Sequence, residues 1–339
     1  NEEAWGYYES ASRHRHCFQT RAVPADASDR SYWLMDLTHV LQFRNLRMLF
    51  FAGIWRARFA EDQGESQEAI ESCLTNIRAA AHWQRNPMVI PQLVSFGVGA
   101  GARRELLRLL CFRDLDASES SALQRELETL YGGEYPQVSL EGERLTLLDT
   151  IQRSFTRGGY GGGHVIWRGY ADGLGKDWKL RLLLIPIDIC DTALHARRNR
   201  TVAKVNEVYS RMAKTVRLSP YERHEQGVGR LEELTASVGA IRYGLVHLLL
   251  PNEPRISELS FRARADHEAL LTVLAAKRYR AAEGAYPEDL VALVATGYLA
   301  AVPMDPYSGG PFIYRRTDNG FILYSAGPDL DDDGGEPGR

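Results

Sequence analysis

The chain has 339 residues, of which 44% are hydrophobic and 25% are charged, and its formal net charge is −3. This is the composition of a globular protein with enough apolar side chains for a large core. The small negative charge excludes a strong basic field of the kind that attracts nucleic acid or anionic membranes. We therefore expect no nucleic-acid partner.

No stretch of the sequence reaches the roughly 18 apolar residues that suggest a membrane span. The apolar segments Leu180–Cys190 and Tyr243–Pro251 are shorter and are interpreted as buried elements. Any contact with a membrane is expected only through an N-terminal anchor that precedes Asn1. The four cysteines form no CxxC pair, and we predict that they are reduced and buried.

The first helices are predicted from apolar residues that recur every three or four positions. Between Val40 and Phe59 these are Phe43, Leu46, Phe50, Ile54 and Ala57. A break at Gly64 precedes a second helix with its apolar face between Ile70 and Ala81. Two such helices make an antiparallel hairpin, and residues 60–70 loosely resemble a tetratricopeptide unit, although no second copy follows at a fixed period. We predict an irregular, tetratricopeptide-like helical domain over residues 1–255.

Later parts of this domain show further helices and one interruption. Helical patterns cover Arg103–Phe112, Ser121–Leu130 and Glu141–Phe155, and a glycine-rich loop is predicted at 156–178. The sequence Ser-Pro-Tyr-Glu that begins at Ser219 predicts a helix start, because Ser is a good N-cap and Pro fits the first helical position.

After residue 255 the pattern changes from helical to mixed. A long helix is predicted over Ile256–Ala282, ending at Gly284. Two β-rich runs, FIYRR and FILYS, flank Asn319-Gly320, which predicts a β-hairpin because both turn residues tolerate a positive φ. The predicted fold class is therefore mainly α (α+β), with a long helix and a small antiparallel sheet in a module at residues 256–339.

Three segments of this module carry a resemblance to a known family. They are RYRAAEGAYPEDLVAL (Arg278–Leu293), GYLAAVPMDPYSGGPFIYR (Gly297–Arg315) and GFILYSAGPDLDDDGG (Gly320–Gly335). Their order resembles the C-terminal half of the major pseudopilin of type II secretion systems: Gly-x-Tyr-Pro, a Pro-x-Asp-Pro loop, a Tyr-Arg strand and a Ser-x-Gly-x-Asp loop. The resemblance implies a pseudopilin-like fold for this end and a calcium-binding last loop.

The rest of the chain departs from a pseudopilin. About 250 residues of helical domain stand where that family has a hydrophobic filament helix. The whole chain, including EGERLTLLDTIQR (Glu141–Arg153), is more similar to a group of bacterial envelope proteins with an N-terminal anchor, a helical domain and a pseudopilin-like end. This resemblance implies a periplasmic or other extracytoplasmic location, and it implies no reaction.

The residues of the last loop also suggest a metal site by their spacing. Asp329, Asp331 and Asp333 occupy positions one, three and five of DLDDDG, as in the opening of a calcium loop. Glu336, Asp332 or nearby backbone carbonyls would complete the coordination shell. We predict calcium with Asp329, Asp331, Asp333 and Glu336 as ligands and a structural role. The alternative is a solvated acidic tail.

Other candidate sites are weaker. The glycines at Gly158–His164 are followed by no Gly-Lys-Ser/Thr, so a linker is favoured over a phosphate loop, with His164 as a possible acid or base. The HEALL segment at His267 and the HEQGV segment at His224 lack the second histidine of a zinc helix. HRH at His14–His16 is expected to be exposed, and Asp305 is expected to cap backbone amides in a turn.

Three functions are consistent with these features. The favoured one is a non-catalytic, membrane-anchored envelope scaffold that binds proteins through its helical domain. The second is an accessory or structural component of a type II secretion or pilus-like assembly. The third is an enzyme of unknown class that uses the Gly158–His164 loop.

Overall fold

The computed structural model describes residues 2–16, 41–132, 135–166, 194–228, 238–239, 241–250 and 256–335. These residues form mainly helices with one small sheet, which confirms the predicted fold class. In chain order the elements are α1 (Glu2–Ser12), α2 (Leu41–Asp62), α3 (Ser66–Gln84), α4 (Val89–Phe112), α5 (Ala117–Thr129), α6 (Glu141–Ser154), α7 (Arg198–Thr215), α8 (Pro220–Glu225), α9 (Gly244–Leu249), α10 (Ile256–Glu283), α11 (Leu290–Ala295), β1 (Ile313–Arg316) and β2 (Phe321–Tyr324).

The predicted helical hairpin is formed by α2 and α3. The turn between them contains Gly64 with φ of 78°, a left-handed value that glycine adopts without steric cost. Buried Asn76 of α3 ties the hairpin to α1: its Nδ2 donates to the carbonyl of Phe50 at 3.2 Å, and Tyr8 donates to its Oδ1 at 3.1 Å. A Cβ at Gly53 would lie 2.5 Å from Asn76 Nδ2, so glycine is needed there.

Helix α4 packs against α3 and is longer than predicted. It begins at Val89 rather than near Arg103, and the part before Arg103 contains Pro91 and three glycines. Because those residues are poor helix formers, the sequence pattern did not predict this part of the helix. A Cβ at Gly101 would lie 2.7 Å from the ring of Phe50, so the glycine permits close packing of α2 on α4.

Helix α10 runs through three clusters of buried side chains. Its first turns join a cluster formed with α6, α7 and α9, and Leu270 and Leu274 join a second cluster formed with α2 to α5. Ala275 and Ala276 face a third cluster with Leu290 and Phe312. The helix ends before Gly284, whose φ is 77°, as predicted. The predicted boundary at residue 255 stays a prediction.

The C-terminal residues form the predicted hairpin. Strands β1 and β2 pair antiparallel, with Ile313 opposite Tyr324 and Arg316 opposite Phe321. The turn at Asn319-Gly320 is closed by a hydrogen bond from the Thr317 N–H to the Gly320 carbonyl at 2.9 Å. The helix start at Ser219 is also confirmed, as a capping box with Glu222.

Candidate functional site

The predicted calcium ligands lie in an exposed loop after β2. Asp329, Asp331 and Asp333 are exposed, and Glu336 lies outside the described residues. Within the part of the chain that the structure describes, no three His, Cys, Asp or Glu side chains are grouped as a metal site. Calcium binding by these four residues therefore stays a prediction.

The conformation of this loop is stabilised by Asp332, which is not one of the alternating ligand positions of the DxDxDG pattern. Asp332 Oδ1 accepts hydrogen bonds from the Tyr324 hydroxyl at 2.8 Å and the Gly334 N–H at 3.1 Å. Leu330, with φ of 64°, is the one non-glycine residue of the described chain in the left-handed region. That conformation costs about 1–2 kcal/mol, so these contacts keep the loop in a turn that the free chain disfavours.

Asp305 connects this end of the chain to the loop before β1. Its carboxylate is 1% exposed and accepts three hydrogen bonds, from the Tyr307 N–H at 3.0 Å, the Ser325 hydroxyl at 2.7 Å and the Ala326 N–H at 2.9 Å. The expected role of Asp305 in capping backbone amides is confirmed. The structure adds that one of those amides belongs to a distant loop.

The glycine-rich segment forms a turn between Phe155 and Val165, which pair as an antiparallel bridge. His164 is exposed, and its ring Nδ1 lies 3.3 Å from Thr156 Oγ1. The backbone N–H of His164 donates to the same oxygen at 3.0 Å. Among the described residues no carboxylate is bonded to His164. These contacts favour a turn residue over an acid or base, and residues 167–178 of the predicted loop lie outside the description.

His267, in the HEALL segment, is an interior residue of α10. Its ring lies 5.1 Å from that of Tyr131 and 5.7 Å from that of Tyr135, centroid to centroid. Burial, together with the nearby charge of Arg103, lowers the pKa of His267 to about 3, so the imidazole is neutral. Arg103 is 1% exposed and forms no ion pair with any described residue.

The histidines near the N-terminus were expected to be exposed. His14 and His16 follow α1 and are exposed, beside a cavity of about 680 Å³ between α1, α3 and α5. Arg13 and Arg78 line this cavity, and both are paired with Glu71. The charges of Arg13 and Arg78 are therefore compensated within the protein, whereas Arg15 and Arg85 of the same wall form no ion pair with a described residue.

The feature that the sequence analysis missed is the outer face of α2, defined by Met48, Phe51, Trp55 and Phe59. These side chains are 65%, 43%, 67% and 66% exposed, and their spacing of three, four and four residues places them on one side of the helix. The opposite side, with Phe50 and Ala57, is buried.

Charged side chains lie along this outer face. The guanidinium of Arg47 lies 5.5 Å from the ring of Phe51, and that of Arg58 lies 5.8 Å from the ring of Trp55. Arg58 also donates twice to Glu105, at 3.2 and 3.1 Å. Such cation–π contacts contribute about 0.5–1 kcal/mol each at exposed sites.

A groove lies beside this face. It has a volume of about 1070 Å³ and is lined by Trp55 and Phe59 on α2, Trp5 on α1 and the turn that leads into α3. Arg56 also lines the groove and is paired with Glu2 at 2.7 Å and Glu68 at 2.9 Å. The groove can accept apolar side chains at the Phe59 end of the outer face.

One signal in the sequence could have revealed the outer face. Between Phe43 and Phe59 the apolar residues exceed what one buried side of a helix requires, because Met48, Phe51, Trp55 and Phe59 follow a second helical stripe. A helix that is apolar on two sides is either fully buried or binds a partner on one of them.

Comparison of the chain with protein-family models, with curated proteins and with solved structures finds no match. Among the described residues no helix is long and apolar enough to cross a membrane.

Proposed function

We propose that this protein is a non-catalytic scaffold that binds another protein through the outer face of α2. The observation that carries the proposal is the exposure of Met48, Phe51, Trp55 and Phe59 on one helix side. Exposed single apolar residues are common on protein surfaces, whereas contiguous apolar patches mark interaction sites.

The composition of the face supports protein binding. Trp and other aromatic side chains dominate the binding energy of protein interfaces, because they bury a large area at a small entropy cost. Trp55 is central in the face, with Phe51 and Phe59 about one turn away on either side. This arrangement has the form of a central anchor surrounded by further apolar contacts.

The spacing of the face also supports a helical partner. Ridges formed by residues three and four apart pack into the grooves of a second helix. The partner is therefore an amphipathic helix with apolar residues at three- and four-residue steps. The groove beside Phe59 receives one of its side chains.

The location of the protein is part of the proposal. The resemblance of residues 274–333 to a pseudopilin end supports an envelope protein on the extracytoplasmic side, with a calcium-stapled last loop. Participation in a type II secretion or pilus-like assembly is the alternative, and co-purification with pseudopilin filaments distinguishes the two.

The experiment places a photo-crosslinking amino acid at position 59, on the face, and at position 112 as a control. Phe112 is 77% exposed at the end of α4 and is not one of the four residues of the outer face. We expect crosslinking in the source cells to give a protein adduct at position 59 and not at position 112. The purified adduct partner should bind the chain, and Trp55→Ser should weaken that binding at least about tenfold. Equal adducts at both positions, or none at position 59, would overturn the proposal.

A further inference from the structure

We propose that the partner of the outer face is a second copy of this chain, with the two α2 helices packed antiparallel about a twofold axis. This inference rests on the proposed function and names the occupant of the same face. An isologous dimer requires a patch that is complementary to itself. The outer face meets this requirement in both its apolar residues and its charges.

The apolar residues are arranged almost symmetrically along α2. Met48 and Phe59 are equidistant from the midpoint between Gly53 and Ile54, and Phe51 and Trp55 are centred on Gly53. An antiparallel pair therefore places Met48 against the second copy's Phe59, and Phe51 against its Trp55. The face extends about 16 Å at a helical rise of 1.5 Å per residue. Both pairings are favourable, as sulfur–aromatic and aromatic–aromatic contacts.

The charges at the ends of the face determine the direction of pairing. Arg47 and Asp62 are both exposed, and neither forms an ion pair with another described residue. They are fifteen positions apart, one at each end of the apolar residues. Antiparallel packing brings each Arg47 near the second copy's Asp62. Parallel packing would bring the two Arg47 side chains together instead.

The remaining charged residues of α2 between Arg47 and Asp62 are already neutralised within one chain. Arg56 is paired with Glu2 and Glu68, and Arg58 with Glu105. Glu61 is paired with Arg108. Arg47 and Asp62 are thus the side chains of this stretch that a second copy can satisfy.

The size of the face predicts a weak dimer. Four side chains that are about half to two-thirds exposed bury on the order of 500 Å² per copy, below the roughly 800 Å² per partner of a standard interface. We expect a reversible dimer with a Kd on the order of 10 μM, at the weak end of the range for such contacts.

Sedimentation equilibrium of the full chain, from about 1 to about 300 μM, tests the dimer. We expect a concentration-dependent monomer–dimer equilibrium in the parent and in Phe112→Ser, and a monomer in Trp55→Ser. Trp55 and Phe112 are both exposed, so the free energies of unfolding of the three proteins should agree within about 0.5 kcal/mol, which excludes unfolding as the cause.

Charge reversal tests the antiparallel arrangement. Arg47→Glu alone and Asp62→Arg alone should each weaken dimerisation about five- to tenfold, because like charges then face each other. The double variant should restore the parent Kd, which a binding site for an unrelated protein would not require.

The two proposals fail in different ways. A chain that stays monomeric up to about 300 μM, but still crosslinks to another protein at position 59, overturns the dimer and keeps the protein-binding function. A dimer that Trp55→Ser does not disturb overturns the assignment of the outer face. Binding of the parent to anionic lipid vesicles, with no dimer and no protein adduct, overturns both proposals.

Discussion

Two regions of the molecule are stabilised by different means: the helical body formed by α2 to α5 with α10, and the part of the C-terminal module that follows α10, residues 284–335. The body buries a continuous aliphatic cluster, including Ile77, Leu106 and Leu270, that is shared by five helices. The module has a smaller core and a two-stranded hairpin, a unit that is marginally stable alone. The stability of the module therefore depends on a few specific polar contacts, and we expect single substitutions of those residues to reduce it most.

The largest effect is expected from Asp305→Ala in the module. The substitution removes three hydrogen bonds to a buried carboxylate and leaves the Tyr307 and Ala326 N–H groups without their acceptor. Charge-assisted hydrogen bonds contribute about 1.5–3 kcal/mol each, so a loss of about 4 kcal/mol is expected. Chemical denaturation measures the loss, and hydrogen exchange should show it first at the amides of β1 and β2.

Asp318→Ala is the matched control for this prediction, because Asp318 is exposed in the hairpin turn. It should change stability by less than about 0.5 kcal/mol. If Asp305→Ala were equally neutral, the module would be stabilised by its apolar core, and the contrast with the helical body would be wrong.

The second prediction concerns a buried acid at the edge of the helical body. Glu143 Oε1 accepts from the Val89 N–H at 2.7 Å, while Oε2 has no partner among the described residues. Burial raises the pKa of this carboxyl from 4.5 to about 7. Between pH 4.5 and 7, Glu143 is therefore protonated in the folded protein and ionised in the unfolded chain. Because ionising the buried carboxyl opposes folding, the free energy of unfolding falls as the pH rises through this window.

Glu143→Gln tests this by keeping an acceptor for Val89 without a titrating group. Relative to the parent, the variant should gain up to about 3 kcal/mol between pH 4.5 and 8, since each pKa unit corresponds to 1.36 kcal/mol. Urea unfolding at several pH values measures the gain. Glu141→Gln is the control: Glu141 is exposed, and a hydrogen bond from Arg144 lowers its pKa, so no gain with rising pH is expected. Parallel pH profiles of the parent and Glu143→Gln would contradict the prediction.

The third prediction compares the two buried charges directly. Asp305 accepts three hydrogen bonds, whereas Arg103 forms no salt bridge and its Nε forms no hydrogen bond among the described residues. Burial opposes this charge, but nearby Tyr135, Tyr131 and Asp266 outweigh the burial and raise the pKa of the guanidinium. Removing one member of such a buried set leaves the others uncompensated, so Arg103→Met should lower the free energy of unfolding by about 1–2 kcal/mol.

Arg103→Ala separates charge from volume, because it removes the same charge but leaves a cavity. It should lower stability by about 2 kcal/mol more than Arg103→Met does. If Arg103→Met were stabilising instead, the cost of burying the charge would exceed what its interactions with Tyr131 and Asp266 contribute, and the prediction would be wrong.

Much of this fold could be predicted where local chemistry alone determines the structure. The helix start at Ser219, the stop at Gly284 and the turn at Asn319-Gly320 were confirmed. In each case the residue type itself determines the backbone: a hydroxyl caps an amide, and glycine or asparagine accepts a positive φ.

The features that could not be predicted depend on residues far apart in the sequence. Helix α4 contains Gly99 and Gly101, which lower its helical propensity but admit Arg103 and Phe50 at close distance. The exposure of Trp55 and the burial of Arg103 reverse the usual preferences of these residue types. Whether Trp55 is exposed and whether Arg103 is buried depend on tertiary packing, which the spacing of residues within a short segment does not indicate.

The smallest expected effect comes from calcium in the last loop. Extracellular calcium modules bind at about 10⁻⁴–10⁻³ M, so about 5 mM calcium should stabilise the chain by about 1 kcal/mol. The effect should disappear in Asp329→Asn/Asp331→Asn and weaken in Glu336→Gln, while Asp318→Asn and equimolar magnesium serve as controls.

Because Asp332 already holds the turn through Tyr324 and Gly334, calcium should add to an existing loop rather than create it. Hydrogen exchange should then slow within residues 327–335 and remain unchanged at Ala326, whose amide is bonded to Asp305. No change in either measurement would identify the acidic segment as a solvated tail and leave Asp305 as the residue that holds the module together.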